Sequence, residues 1–173
     1  MAAALSSAWV SLGGNQGETP AIFQKALARI VANRDIDLDG VSSLYRTPPW
    51  GDQAQPSFLN AVIRLKTGLE PRSLFEELVK VETALGRRRD PDRPWGPRTL
   101  DLDLLLFGER QFSEPDLTVP HPRLHERAFV LVPLMEIDPG LAIPGVGSVP
   151  GLLDRLDQAG IERVSGPSWA KRA

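Results

Sequence analysis

The segment Leu100-Asp101-Leu102-Asp103-Leu104-Leu105-Leu106-Phe107 alternates apolar and acidic residues and then becomes wholly apolar. A period of two belongs to a β-strand, with Leu100, Leu102 and Leu104 on one face and Asp101 and Asp103 together on the other. Aspartate is depleted in strands, and two neighbouring carboxylates repel, so one tends to keep its proton. A divalent cation removes that conflict. Mg²⁺ is commonly held by one or two carboxylates, with water and substrate phosphates completing its shell. A solvated outer sheet face fits the same spacing, so the choice rests on the residues upstream.

Those residues run Gly86-Arg87-Arg88-Arg89-Asp90-Pro91-Asp92-Arg93-Pro94-Trp95-Gly96-Pro97-Arg98, with five arginines in a chain of formal net charge -2. Proline and glycine punctuate the run, which predicts a loop. Guanidinium forks match phosphate oxygens in pairs and keep their charge at any working pH. A cationic loop leading into a dicarboxylate strand supplies both halves of a phosphoryl-transfer site: metal on the acids, arginines on the remaining phosphate charge.

The rest of the composition narrows the class. The chain has 173 residues, 42% of them hydrophobic and 24% charged, which suits one domain with a full core. No apolar run reaches the roughly 18 residues that cross a bilayer. Residues 1–7 lack the charged start and long apolar stretch of a secretion signal. Without cysteine there is no disulfide framework, thiolate metal site or cysteine nucleophile, and a cytoplasmic location is expected. A sequence pI near 5.7 argues against a general nucleic-acid binder; a small polyphosphate suits the local basic charge better.

In chain order, Ala8–Leu12 reads as a strand and the glycines after it as a turn, without the spacing of a dinucleotide fingerprint or a P-loop. Thr19 is the expected N-cap of a helix with Pro20 at its first position, and Ile22, Phe23, Ala26, Leu27, Ile30 and Val31 form its apolar stripe. A second strand lies within Ile36–Tyr45, a polar loop spans Thr47–Ser57, and a third strand runs Phe58–Thr67. A second helix buries Leu74, Leu78, Val81 and Leu85 and stops at Gly86. With the Asp-x-Asp strand, the order is βαββαβ. We therefore expect an α+β, ferredoxin-like core with a mostly antiparallel sheet and C-terminal additions. Helices should cover one face and leave the other free for a site. A short helix is expected around Glu126–Val132, a last one from Pro150 through Leu156, one domain over residues 1–165, and a loose tail over residues 166–173.

The motif Arg-x-x-Asp-Leu-Asp after Trp-Gly-Pro resembles the signature of the 6-hydroxymethyl-7,8-dihydropterin pyrophosphokinase family of the folate pathway. The resemblance continues in Leu12-Gly13-Gly14-Asn15, Ser43 through Pro49, Phe58-Leu59-Asn60-Ala61 and Thr118-Val119-Pro120-His121-Pro122, over roughly residues 8–145 in the same order. It implies an enzyme that moves a pyrophosphoryl group from ATP to the hydroxymethyl group of the reduced pterin, releasing AMP. It implies two Mg²⁺ ions on Asp101 and Asp103, ATP as co-substrate, and small-molecule partners with neither nucleic acid nor membrane; a monomer is expected. Arg87 and Arg98 match the family's two catalytic arginines. Glu82, Arg89, Arg93, Thr118, His121 and Arg127 match nucleotide contacts, with Arg87, Trp95 and Arg98 also on the ATP side.

For the pterin, the resemblance implies Phe58 and Phe129 as the pair that sandwiches the ring. Asn60, Thr47 and Pro48 would meet its hydrogen-bonding edge, and Trp50 and Trp95 would close over the site. Arg88 matches no role. The chain departs from the family at Pro94, an added residue, at Asp116 and Val79, where an arginine and a glutamine often lie, and at Phe58, which stands for a tyrosine. Two rivals compete. A metal-dependent phosphodiesterase would need more acidic or histidine ligands nearby. A non-catalytic RNA-binding module would need aromatics, not aspartates, on its central strands.

Overall fold

The computed structural model describes residues 4–49, 51–88 and 90–171. Its frame is a sheet around β1 (Ser6–Gly14), flanked by β4 (Phe58–Thr67) and β5 (Asp101–Phe107). The second strand of the sequence reading is two pieces, β2 (Ile36–Val41) and β3 (Leu44–Thr47), both paired with β4. The break falls at Ser42-Ser43. There the Ser42 Oγ accepts from the Val62 backbone N–H at 2.9 Å, while the Ser42 N–H donates to the Val62 carbonyl at 2.9 Å. A side chain thus stands in for a lost ladder bond, and buried backbone donors stay satisfied. β10 (Glu162–Ser165) adds to the outer edge of β3, and each of these pairings is antiparallel. Architecture is therefore mixed helix and antiparallel sheet.

α1 (Thr19–Val31) and α2 (Pro71–Ala84) cover one face. Phe23, Ala26, Leu27 and Ile30 are buried as the helical spacing requires, but Val31 is 41% exposed. Thr19 is the first helical residue and buried; Glu18 takes the cap position and makes no side-chain cap bond. α2 buries Leu74, Leu78 and Val81, and the chain leaves it through Gly86 at φ +89°.

The opposite face is not left free along its length. Trp9, Val62, Leu105 and Leu106 point there and form a second core with α3 (Ala128–Ile137) and α4 (Val149–Leu153). A bulge sets this up: Trp9 pairs with Leu106 and Val10 with Leu104, so Leu105 is the extra residue. α3 is apolar on nearly every side and runs through Pro133. The helix expected around Glu126–Val132 is instead a 3₁₀ turn over Leu124–Glu126 followed by α3. Burial of Val130, Leu131 and Leu134 outweighs the lost Pro133 donor. Two small hairpins, β6 (Phe112–Glu114) with β7 (Leu117–Val119) and β8 (Ala142–Ile143) with β9 (Gly147–Ser148), join these parts.

Residues 167–170, expected as part of a loose tail, form a 3₁₀ turn whose Trp169 is only 6% exposed. Its indole meets Phe23 edge-on at 5.9 Å and donates to the Ser42 carbonyl at 2.8 Å. One large aromatic side chain anchors an otherwise polar stretch.

Candidate active site

The site grows out of strand register. Gly13 lies opposite Asn60 on β4 and Asp101 on β5; two residues back, Ser11 lies opposite Val62 and Asp103. Directly opposed residues share a face, so Asn60, Gly13 and Asp101 form one row of a floor and Val62, Ser11 and Asp103 the next. Gly13 keeps the floor open: a Cβ there would stand 2.9 Å from Asn60 Oδ1. Beyond the end of α3 this face is uncovered and carries a cavity of about 250 Å³.

At its acidic end, Arg87 Nη1 donates to both Asp101 Oδ1 and Glu82 Oε2. Arg98 Nη1 donates to Asp101 Oδ2 at 3.1 Å, and Arg127 Nη1 stands 3.7 Å from Asp103 Oδ2. Glu82 is buried and also accepts from the Leu102 N–H at 3.2 Å, tying α2 to β5. Burial pushes the Glu82 carboxyl above its ordinary range against the pull of Arg87. Burial, then the neighbouring Asp101 charge, push Asp103 up to about 7, with Arg127 opposing them. The Asp103 side chain still keeps 29% of its surface open toward the cavity. Among the described residues no group of three or more acidic or histidine side chains could hold a metal. The fit is to a hard cation that takes two carboxylates and draws its remaining oxygens from substrate and water.

At the other end, Asn60 Nδ2 donates to Thr47 Oγ1 at 2.6 Å, and both side chains are buried. This commits one amide hydrogen and leaves the Asn60 carbonyl oxygen and its second amide hydrogen for a ligand. The Arg98 guanidinium lies over the Phe58 ring at 5.4 Å. Arg127 lies 5.8 Å from the Phe129 ring and 5.7 Å from that of Trp95, while Arg123 covers Trp95 at 5.1 Å. His121 also lines the cavity; burial and the Arg127 charge lower its pKa to about 4, so it is neutral at pH 7. Its Nδ1 accepts the Arg123 N–H at 3.2 Å, which places the ring proton on Nε2.

Loops frame the mouth. Asn15 Nδ2 donates to Gln55 Oε1 at 2.9 Å and to the Pro56 carbonyl at 3.0 Å, and its Oδ1 accepts the Arg98 N–H at 3.0 Å. Gln55 Nε2 in turn donates to the Trp95 carbonyl at 2.6 Å.

Thus Thr47, Pro48, Phe58, Asn60, Phe129 and Trp95 meet Glu82, Arg87, Arg98, Asp101, Asp103, His121 and Arg127 around one cavity. Arg93 does not line it; its guanidinium is turned to Asp52 at 2.6 Å. Thr118 sits on the β6–β7 hairpin, 3.1 Å from Ser113 Oγ, and is not among the lining residues. Trp50 and Arg89 lie outside the described residues. Asp116 pairs with Arg72 of α2 at 2.9 Å. Ser11 and Phe75 line the cavity without having been singled out in the sequence, and so does Leu102, expected on the apolar face of its strand. Ser11 and Gly13 become visible once β1 is paired with β5; Phe75 reads in sequence as one more apolar residue of α2.

The chain matches the family model described as 7,8-dihydro-6-hydroxymethylpterin-pyrophosphokinase over residues 9–139. It is 44% identical over 160 residues to the 2-amino-4-hydroxy-6-hydroxymethyldihydropteridine pyrophosphokinase of Methylorubrum extorquens, covering 92% of this chain and 99% of that one. It is 43% identical to the protein of the same name from Pseudomonas aeruginosa, covering 91% of this chain and 96% of that one. In fold it is similar to the crystal structure of Plasmodium falciparum HPPK-DHPS wild type, with TM-score 0.66 and 12% identity over 87% of this chain. A second, with pteroate, gives TM-score 0.69 and 12% identity over 90% of this chain. The chain spans 44% and 45% of those two longer chains. By the family model matched over residues 9–139 and by these two relatives, the chain belongs to the 7,8-dihydro-6-hydroxymethylpterin-pyrophosphokinase family.

Proposed function

We propose that this chain transfers a pyrophosphoryl group from ATP to the hydroxymethyl oxygen of 6-hydroxymethyl-7,8-dihydropterin, giving AMP and the pterin diphosphate in folate biosynthesis. The observation that carries this reading is one cavity lined by a carboxylate pair and three arginines and also by the buried Asn60–Thr47 pair with Phe58 and Phe129. A triphosphate with its counter-cations suits the first group and a flat, hydrogen-bonding heterocycle the second.

Phe58 and Phe129 hold the pterin ring, where offset stacking contributes about 0.5–1.5 kcal/mol beyond area burial. Asn60, Thr47 and Pro48 meet its polar edge, and Trp95 closes over it. Arg87 and Arg98 hold the transferring phosphates, while Glu82, Trp95, His121 and Arg127 surround the nucleotide. The hydroxymethyl oxygen forms its bond to the β-phosphorus as the bond from that phosphorus to the α–β bridging oxygen breaks, and AMP leaves. Positioning in line and charge neutralisation carry most of such a reaction. Asp101 and Asp103 would hold two Mg²⁺ ions, whose chemistry is to neutralise phosphate charge and lower the pKa of the attacking hydroxyl. Arg87 and Arg98, which pair with Asp101 here, would turn their guanidinium groups to the phosphates once that carboxylate held a cation.

The strand order supports a ferredoxin-like βαββαβ reading in which β2 and β3 are one interrupted strand. We read residues 1–165 as a single catalytic unit, extended by the Trp169 anchor. We read it as a cytoplasmic monomer, supported by the absence of cysteine and by only four exposed large apolar side chains among the described residues. No described helix is long and apolar enough to cross a membrane. The test is AMP release from ATP in the presence of Mg²⁺. It should require the hydroxymethyl pterin, and AMP released equally without the pterin would overturn the reading.

A further inference from the structure

Pro48 has two sides. One lines the site cavity beside Thr47 and Phe129. The other, again with Thr47 and Phe129, lines a second cavity of about 290 Å³ whose far wall is Leu156, Asp157, Ala159 and Ile161. A wall with a hollow behind it gives way under a ligand unless something props it. The prop is Gly160. The space a Cβ would fill there is taken by the Pro48 ring, with Cγ at 2.7 Å and Cδ at 3.2 Å.

The C-terminal segment is built to keep that contact. Residues 158–161 form a turn closed by the Ile161 N–H on the Gln158 carbonyl at 3.3 Å, with Gly160 at φ +81°. That is the third position of a turn requiring positive φ, which glycine fills without strain. Asp157 Oδ1 accepts the Ala159 N–H at 2.8 Å, and Gln158 Nε2 donates to the Leu153 carbonyl at 3.2 Å, so the turn is fixed on its other side to α4. Directly after it, β10 pairs with β3, Glu162 opposite Arg46 and Arg163 opposite Tyr45. The turn is therefore held from both directions against the residue that follows β3.

We infer that Gly160 is a positioning residue for the pterin end of the site: it sets the place of Pro48, and through Pro48 the width of the slot that it lines together with Phe129. This rests on the reading that Pro48 and Phe129 bound the pterin. A side chain at position 160 pushes the Pro48 ring into that slot and weakens the pterin, leaving the nucleotide end, with Glu82 and Arg87, untouched.

The experiment measures pterin binding in the presence of Mg²⁺ and a nonhydrolysable ATP analogue, binding of the analogue alone, and the melting temperature. It uses the full chain and four variants: Gly160→Ala, Gly160→Asn, Pro48→Ala and Pro48→Ala with Gly160→Ala. Overpacking by one methyl group should weaken the pterin by about tenfold in Gly160→Ala, with analogue affinity within about twofold of the parent. Asparagine tolerates positive φ, so Gly160→Asn should regain melting temperature but keep the pterin loss, because its Cβ remains. In the double variant the Pro48 Cγ and Cδ are gone, and Gly160→Ala should add no further pterin loss to that of Pro48→Ala alone. Unchanged pterin affinity in Gly160→Ala would overturn the inference. So would equal losses for both ligands, recovery of pterin affinity in Gly160→Asn together with stability, or an undiminished extra loss in the double variant. Failure of the parent chain itself to bind the pterin would instead overturn the functional reading.

Discussion

Arg127 Nη1 stands 3.7 Å from Asp103 Oδ2, whereas Asp101 is held by Arg87 and at 3.1 Å by Arg98. The two carboxylates of one strand face are thus unequally compensated, and Asp103 is the one pushed up to about 7, by burial and then by the Asp101 charge. Ligation of a cation needs the ionised form, so kcat/KM should fall as pH drops through about 7. Removing the opposing guanidinium in Arg127→Met should move that acid limb to higher pH. A pH profile with no inflection between about 6 and 8 in either protein would count against the assignment.

The same shift has a stability consequence of opposite sign. A carboxyl whose folded pKa lies above its unfolded one favours folding when protonated, and this advantage disappears as pH rises through the folded value. Asp103→Asn is neutral at every pH. It should lose at least about a hundredfold in turnover, yet melt higher than the parent at pH 8, with the gap closing toward pH 4. Melting curves at the two pH values decide it, and a parent more stable than the variant at pH 8 would contradict the burial argument.

Arg87 and Arg98 each bridge Asp101 to a second partner, Glu82 for the first and the Phe58 ring at 5.4 Å for the second. A fork that both pairs and stacks is not replaced by an ammonium. Arg98→Lys and Arg87→Ala should each lower kcat by about 10²–10³ while changing nucleotide affinity far less. Arg88 is exposed, and Arg88→Ala should be indistinguishable from the parent. Turnover and ATP-analogue titration on the three variants test this, and losses confined to affinity would show that these arginines bind the ground state instead.

What could be read from sequence depended on whether the deciding partner was near in the chain. β4 begins and ends where its pattern predicts, because alternation over ten residues and the flanking turn fix it locally. Asp101 and Asp103 share a face for the same reason. Ser11 and Gly13 join them only through the pairing of β1 with β5, which no local period encodes. The break between β2 and β3 is stabilised by Glu136, which accepts from the Ser43 N–H at 2.8 Å across 93 positions of sequence. α3 crosses Pro133 because burial on both sides overrides a local penalty, and Trp169 orders a stretch whose neighbours are polar. The tryptophan was visible in the sequence; the pocket between Phe23 and Ser42 was not.

Asn15 ties its own turn to two segments from different parts of the chain, at Gln55-Pro56 and at Arg98. Each of these hydrogen bonds contributes a net of about 0.5–1.5 kcal/mol at most; their importance lies in setting the loops in one arrangement. Asn15→Ala should lower the melting temperature by only a few degrees, raise KM for both substrates and speed proteolysis within residues 87–98. Mg²⁺ with a nonhydrolysable ATP analogue should slow that cleavage in the parent and slow it less in the variant. Equal protection in both would show that the loops close without the Asn15 link.

Trp169 separates stability from chemistry. Its ring fills a place between α1 and the β2–β3 break and meets Phe23 at 5.9 Å, while its backbone carbonyl accepts from Gln24 Nε2 at 2.7 Å. Trp169→Ala removes the ring and leaves the Ser42 carbonyl without its donor, at a cost of about 3–5 kcal/mol in unfolding free energy. None of these atoms lines the cavity, so kcat and both KM values, measured well below the lowered melting temperature, should stay within about twofold of the parent, since coupling is weak between distant sites without shared partners. Chemical denaturation reads the first quantity and steady-state turnover the second. A loss below about 1 kcal/mol would mean that the last residues are dispensable to the core after all, because burial of one large aromatic ring cannot be that small.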